Sequence, residues 1–186
     1  MALFKEQVKL ICLVLISSMA MNFTVITMAK AADREYAIKA VFLYNFFNYI
    51  QWPDEIIIAN GNPSINLCIY GDDPFGAALI HIQKKMAKKM TLTIVHLKPK
   101  DRIDKMSCHM LYVSLSEKSN LDPLIDRIKH HGVLTVSDIN GFSHNGGIIE
   151  LARKGDKIKL IINISRLETS GFRANSQILK IANLVP

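Results

Sequence analysis

Short apolar runs rich in β-branched residues alternate with helix-like stretches through most of this chain. Such runs predict strands that are buried on both faces. The predicted strands lie at residues 65–70, 91–97, 109–115 and 133–136. Helices are predicted at residues 35–50, 75–86, 120–130 and 165–184. A hairpin with strands 146–151 and 157–164 is predicted around a Lys154-Gly155-Asp156 turn.

Strands that alternate with helices favour an α/β fold, in which a mostly parallel open sheet carries helices on both faces. This plan is of the Rossmann or flavodoxin-like kind, and the late hairpin is expected to add antiparallel strands near the C-terminus. After the first strand, the Gly71-Asp72-Asp73-Pro74 turn is expected to open a helix. Asp72 or Asp73 would cap that helix, and Pro74 suits its first position.

The first 31 residues have the layout of a secretory signal peptide. Lys5 and Lys9 precede an apolar run from Leu10 to Ile26, and Ala29-Lys30-Ala31 offers small residues for a cleavage site. Residues 32–186 are then expected to form a single domain in the periplasm. The open alternative is that the apolar run stays uncleaved and anchors the chain in the membrane.

The chain is basic, with a formal net charge of +7. Loss of residues 1–31 would remove three lysines and one glutamate and leave a charge of +5. Such a charge suits a position near an anionic membrane surface or an acidic partner. It does not argue for nucleic acid as a partner, and export argues against it.

Two cysteines, Cys68 and Cys108, remain after the predicted cleavage. An even pair in an oxidising compartment favours one disulfide. For the loop that a bond between Cys68 and Cys108 would close, the chain-entropy treatment gives a stabilisation of roughly 4 kcal/mol. The alternative is a pair of buried free thiols in adjacent strands.

The sequence contains no specific catalytic, metal-binding or cofactor-binding motif. No G-x-S-x-G, G-x-G-x-x-G or G-x-x-x-x-G-K-[ST] segment is present. The two carboxylates of the GDDPFG turn would repel a phosphate at the helix start, which disfavours nucleotide binding there. The six histidines show no metal-binding spacing. We therefore predict no enzymatic activity, no metal and no cofactor.

The carboxyl ends of the predicted strands are where an α/β sheet usually binds a ligand. Six residues follow the first and fourth strands and are the candidates for a ligand-binding or partner-binding rim. They are Gly71, Asp72, Asp73, Ser137, Asp138 and Asn140. The alternative is ordinary capping of the loops. The polar Gly141–Gly147 loop, GFSHNGG, is expected to be flexible and could take part in recognition.

Several segments together resemble the YfiR-like family of exported bacterial proteins, over about residues 35–185. They are YAIKAVFLYNFFNYIQWP, LCIYGDDPFG, CHMLYVS, VLTVSDINGFSHNGGIIEL and KIKLIINISRLETSGFRANSQILKIANLV, in that order. The resemblance implies an α/β domain, no known enzymatic activity and a periplasmic location. It also implies contact with the periplasmic region of a membrane-bound diguanylate cyclase, whose repression lowers cyclic di-GMP and biofilm growth, and possible homodimers.

The resemblance places Cys68 and Cys108 where some members have a cysteine pair. Some members carry a second pair near the GFSHNGG segment, but this chain has Ser143 and no cysteine there. Redox sensing through a second disulfide is therefore not expected here.

Two hypotheses of function follow from these observations. The first is a periplasmic regulator that acts on a membrane-bound signalling protein by contact. The second is a periplasmic small-molecule binding module that serves a sensor or a transport system. The apolar first helix and the C-terminal helix are candidate partner surfaces, with a role in the core as the alternative.

Overall fold

The computed structural model describes residues 33–53, 58–59, 62–87, 90–98, 100–101, 103 and 108–186. The chain divides into two compact units, Met1–Tyr36 and Ala37–Pro186. Of the first unit, residues 33–36 are described, and they are helical. The predicted signal peptide lies outside the described residues.

The described elements alternate much as the sequence pattern predicts. The strands are β1 (Ile50–Gln51), β2 (Ile58–Ala59), β3 (Asn62–Tyr70), β4 (Thr91–Leu97), β5 (Met110–Val113), β6 (Leu134–Ser137), β7 (Ile149–Lys154), β8 (Lys157–Asn163), β9 (Arg173–Ala174) and β10 (Ala182–Val185). The helices are α1 (residues 33–49), α2 (Ala77–Met86), α3 (Leu121–Ile128), α4 (Ile164–Thr169) and α5 (Ser176–Leu179), and a 3-10 helix spans Leu115–Asn120.

Seven strands follow one another in the sheet in the order β4-β3-β5-β6-β7-β8-β10. The strands from β4 to β7 are parallel. β8 returns antiparallel to β7, and β10 runs parallel to β8. In chain order, β3 to β7 have the arrangement 2-1-3-4-5, which is the flavodoxin-like plan. The predicted α/β fold with a late antiparallel hairpin is confirmed.

Two shorter pairings complete the strands of the described chain. β2 pairs antiparallel with the start of β3, and β1 pairs antiparallel with β9 in a separate two-stranded sheet. Trp52 follows β1 and stacks on Phe47 at 5.5 Å, with its other contact to the edge of Phe172 at 5.4 Å. The end of α1 is thereby joined to the C-terminal part of the domain through an aromatic cluster.

Helices lie on both faces of the sheet. On one face, Leu124 and Ile125 of α3 belong to a buried cluster with Cys68 and Leu111 of the strands. Tyr112 points to the opposite face, since side chains alternate along a strand, and it contacts the ring of Phe75 before α2 at 4.6 Å.

The predicted helix over residues 165–184 is wrong. Gly171 has a φ of 87° and breaks the chain direction after α4. Asn175 then caps the one-turn α5 by accepting hydrogen bonds from the backbone N–H groups of Gln177 and Ile178. The last residues form β10 instead, because pairing with β8 satisfies their backbone groups.

The predicted start of α2 also differs from the structure. α2 begins at Ala77, so neither Asp72 nor Asp73 is its cap. The Asp73 carboxylate instead accepts a hydrogen bond from the backbone N–H of Phe75 at 2.8 Å, which closes a local turn before the helix. The helix predicted over residues 120–130 is α3 (Leu121–Ile128), and a 3-10 helix over Leu115–Asn120, which was not predicted, precedes it.

Candidate functional site

The first part of the predicted rim follows β3, and its polar groups are engaged with neighbouring elements. The backbone N–H of Asp72 donates to the Ser116 hydroxyl at 3.0 Å. The second carboxylate oxygen of Asp73 lies 2.8 Å from Nε2 of His96, at the end of β4. Gly71 has a φ of 93°, and a Cβ there would lie 2.5 Å from the Ser116 hydroxyl. The 3-10 helix therefore closes this side of the rim.

The second part of the rim follows β6 and is mostly buried. The Ser137 hydroxyl donates to the Val113 carbonyl at 2.7 Å and accepts from the Ile139 N–H at 3.0 Å. Asp138 forms an ion pair with Lys39 of α1 at 2.6 Å, and both side chains are nearly inaccessible to water. The ion pair between Lys39 and Asp138 therefore joins the end of β6 to α1.

Asp72, Asp73 and Asn140 are the exposed members of the predicted rim. They belong to different parts of it, because β5 lies between β3 and β6 in the sheet. Ligand binding at the rim stays a prediction. The structure shows that the other polar side chains of the rim are occupied with contacts inside the protein.

The GFSHNGG loop is tied down by a buried carboxylate rather than flexible as expected. Glu150 of β7 accepts hydrogen bonds from the backbone N–H groups of Gly141 and Ser143, and from the Ser143 hydroxyl at 3.0 Å. Ser143 is fully buried. A Cβ on Gly147 would lie 2.2 Å from the Phe142 ring, so the backbone passes directly over that side chain.

Further contacts attach the same loop to the C-terminal half of the sheet. The side-chain amide of Asn163 donates to the Ser143 carbonyl at 2.9 Å, and its oxygen caps α4 through the Arg166 N–H. The Arg166 guanidinium donates to the carbonyls of Gly146 and Lys129. The loop thus connects the parallel neighbours β6 and β7 as a segment held by hydrogen bonds, with His144 and Asn145 exposed.

His109 lies beside the disulfide, at the start of β5. Cys68 and Cys108 are bonded, with Cα atoms 5.7 Å apart, and both are fully buried. Nδ1 of His109 accepts a hydrogen bond from the backbone N–H of Asn66 at 2.9 Å, so the neutral ring carries its proton on Nε2. Burial lowers the pKa of His109 below its ordinary value of 6.5, because the charged ring loses its hydration.

An open apolar groove lies between α1 and the C-terminal segment. Its volume is about 400 Å³, and its lining is Phe42, Asn45, Tyr49, Gln177, Ile178 and Ile181. Ile181 of this lining is 66% accessible, and Val41, which precedes Phe42 on α1, is 55% accessible. α1 also supplies the core through Leu43 and Phe46. α1 therefore contributes to the core on one side and presents an accessible surface on the other, so the two predicted roles of the first helix are compatible.

Sequence reasoning did not identify three residues that organise this region: Lys39, Glu150 and Asn163. The available signal was a charged or polar residue inside an apolar run, as in KAVFLYNFF and GGIIEL. Such a residue is costly to bury unless it is paired, so its position in a buried run predicts a partner elsewhere in the chain.

No group of three or more His, Cys, Asp or Glu side chains in the described part of the chain is placed to hold a metal ion. No helix among the described residues is both long enough and apolar enough to span a bilayer.

The fold is that of a flavodoxin-like α/β domain. Most polar side chains of its rim are engaged in contacts within the protein, and an apolar groove is accessible. The YfiR/HmsC-like family (DUF4154) matches residues 36–183, and the chain belongs to this family. No curated protein matches the sequence. A crystal structure of a conserved domain protein from Vibrio cholerae O1 biovar El Tor matches with a TM-score of 0.46 and 11% identity. That match covers 66% of this chain, and the chain spans about half, 54%, of the Vibrio protein.

Proposed function

We propose that residues 32–186 form a non-catalytic periplasmic regulator of a membrane-bound diguanylate cyclase. Contact with the periplasmic region of the cyclase would set its activity, and thereby the level of cyclic di-GMP. The observation that carries the proposal is membership of the YfiR/HmsC-like family over residues 36–183. The engagement of Ser137 and Asp138 in structural contacts supports a role by docking rather than by chemistry.

The groove between α1 and the C-terminal segment is the proposed contact with the cyclase. Six large apolar side chains are exposed in the described chain, and four of them lie on α1 or within the last six residues: Ile38, Val41, Ile181 and Leu184. Exposed apolar side chains grouped in this way are typical of protein contact surfaces. Their grouping beside a groove favours an apolar segment of the partner as the occupant.

Single substitutions can test this contact. Val41→Glu and Ile181→Glu place a charge at the groove, whereas Ile80→Glu, at a side chain of α2 that is 50% exposed, is the matched control. The two groove variants are expected to lose capture of the membrane-bound cyclase from envelope extracts and to raise cyclic di-GMP. The control variant should behave as the parent protein. Failure to recover a membrane sensor, with unchanged cyclic di-GMP in a deletion strain, would refute the proposal.

Export and assembly are separate parts of the proposal. Mass spectrometry of the protein from a periplasmic fraction should find a chain that begins at residue 32. An intact chain that starts at Met1 would instead favour the membrane anchor. A homodimer is also predicted, and light scattering on the purified domain would measure its mass.

The second candidate function is a periplasmic small-molecule binding module. The specific observation that favours it is the groove volume of about 400 Å³, with Asn45, Tyr49 and Gln177 in an otherwise apolar lining. Ligand pockets often have this size and this mixture of groups. In a thermal-shift screen, strong stabilisation by a single metabolite would favour this function. Val41→Glu without effect on cyclic di-GMP would strengthen that conclusion.

A further inference from the structure

Three lysines share one side of the β7–β8 hairpin. Lys154 pairs directly with Lys157, and Ala152 pairs with Lys159. Because successive side chains of a strand alternate between the two faces of a sheet, these four residues lie on the same side. All three lysines are exposed. We refer to Lys154, Lys157 and Lys159 as the basic face.

The basic face continues onto a partly apolar floor. Ile161 lies two residues beyond Lys159 on the same side of β8, and Asn183 of β10 pairs with it. Ala152, Ile161 and Val185 are half-buried, and Asn183 is exposed. The result is an open patch of sheet that combines lysines with an apolar base, and a shallow pocket borders it at Lys159 and Asn183.

The charges of this patch are not balanced by the protein. Two acidic residues lie close to them in the hairpin: Asp156 is in the turn, and Glu150, on the same side as the lysines, is buried and bound to Gly141 and Ser143. No ion pair joins any of the three lysines to another described residue. Like charges directly opposite each other in a sheet cost stability, as Lys154 and Lys157 do here. β10 pairs with β8 from Leu160 to Asn163, and β6 pairs with β7 at Ile149 and Glu150, so the hairpin end that carries the lysines extends beyond the neighbouring strands.

We propose that the basic face docks on the surface of an anionic lipid bilayer. A flat array of flexible ammonium groups suits mobile phosphate headgroups, which have no fixed geometry to match. The apolar stems of the lysines and the Ile161 floor can rest at the headgroup level while the ammonium groups reach the phosphates. The basic face is formed by β7 and β8, and Lys159 lines a shallow pocket with Phe42 and Ile181 of the groove beside α1. Vesicle binding is measured without the cyclase, so this inference does not depend on the cyclase contact.

Vesicle sedimentation tests the proposal with the predicted mature chain, residues 32–186. The vesicles contain phosphatidylglycerol mixed with phosphatidylcholine, or phosphatidylcholine alone. The test variant is Lys154→Glu/Lys157→Glu/Lys159→Glu. The control variant, Lys84→Glu/Lys100→Glu/Lys118→Glu, makes the same change of net charge at exposed lysines of other elements. Thermal denaturation verifies that each variant is folded, and a second triple variant with Gln at the same positions removes the charge without reversing it.

The parent protein is expected to bind the anionic vesicles and not the neutral ones. Each lysine near an anionic surface strengthens binding about fivefold, so the triple Gln variant should bind roughly 100-fold more weakly, and the Glu test variant more weakly still. Raising the salt from about 0.1 M to about 1 M shortens the screening length from ~10 Å to ~3 Å and should release the parent protein.

Four results would overturn the proposal. They are absence of binding, equal binding to both vesicle types, equal losses in the test and control variants, and loss of cyclase capture by the test variant with unchanged vesicle binding. The last result would assign the lysines to an acidic protein surface. Vesicles contain no cyclase, so a failure here is distinct from a failure of the proposed function.

Discussion

The ammonium group of Lys39 lies 2.6 Å from a carboxylate oxygen of Asp138, and 2% and 3% of the two side chains are accessible to water. The two residues are 99 positions apart in the sequence, and their contact joins α1 to the carboxyl end of β6. Asp138 was a candidate ligand residue by its position after a strand. Its contact with Lys39 gives it a structural role.

Removal of either partner of this ion pair should strongly destabilise the protein. Lys39→Met or Asp138→Asn is expected to lower the free energy of unfolding by about 3–5 kcal/mol, because one buried group loses its charged partner. The double variant should cost less than the sum of the single changes. Urea denaturation measures all three.

The exposed ion pair between Lys129 and Asp126 is the control for that series. Lys129→Met is expected to change the free energy of unfolding by less than about 1 kcal/mol, since water already screens the pair. Equal effects of Lys39→Met and Lys129→Met would contradict the importance of burial.

Glu150 should be essential for the order of the GFSHNGG loop. Glu150→Ala leaves two backbone N–H groups and the Ser143 hydroxyl without their acceptor, and we expect a loss of about 2–4 kcal/mol. Hydrogen exchange at the Gly141 and Ser143 amides should accelerate. Ser143→Ala removes one of the three bonds and should cost about 1 kcal/mol. A loop that exchanges at the parent rate in the Glu150 variant would disprove the assignment.

Stability should fall in mildly acidic solution because of His109. Its pKa in the folded protein is lowered, so the unfolded chain binds the proton more readily. The contribution is fully present above the unfolded pKa of about 6.5 and is lost as the pH falls from there through the folded pKa. His109→Asn keeps an acceptor for the Asn66 N–H but does not titrate. Its unfolding free energy should depend less on pH between about 7.5 and 5.5, and an unchanged slope would exclude His109 as the cause.

Loss of the disulfide should weaken the domain without changing its fold. Cys68→Ser/Cys108→Ser opens a loop with a sequence separation of 40. The expected loss is about 4 kcal/mol, since the unfolded chain regains the freedom of that loop. Denaturation with and without reductant, together with thiol counting on the periplasmic protein, provides the measurement. Two free thiols in native material, or identical midpoints, would contradict it.

The parallel core of the sheet could be predicted because each strand is a compact apolar run bounded by turn residues. β4 begins and ends where the pattern TLTIVHL does, and strands of this kind depend on local composition within a few residues. The even count of cysteines after the predicted cleavage favours the disulfide that the structure contains.

The C-terminal segment could not be predicted in the same way. The spacing of Leu179, Ile181, Ala182 and Leu184 also suits a helix, and the choice of a strand depends on the open side of β8, which is a tertiary contact. Lys39 posed a similar difficulty. In the sequence Lys39 interrupts an apolar helix. Its burial is explained by the ion pair with Asp138, which follows a strand that is distant in the sequence.

The disulfide lies between neighbouring strands, and α2 and β4 lie wholly within the covalent ring that it closes. β4 is an outer strand of the sheet, the kind of element that one molecule can lend to another in domain swapping. Here the disulfide links the two ends of the segment that contains β4, because Cys68 is in β3 and Cys108 directly precedes β5. An oxidised copy therefore cannot release β4 by one end, and exchange between copies is restricted to the reduced protein.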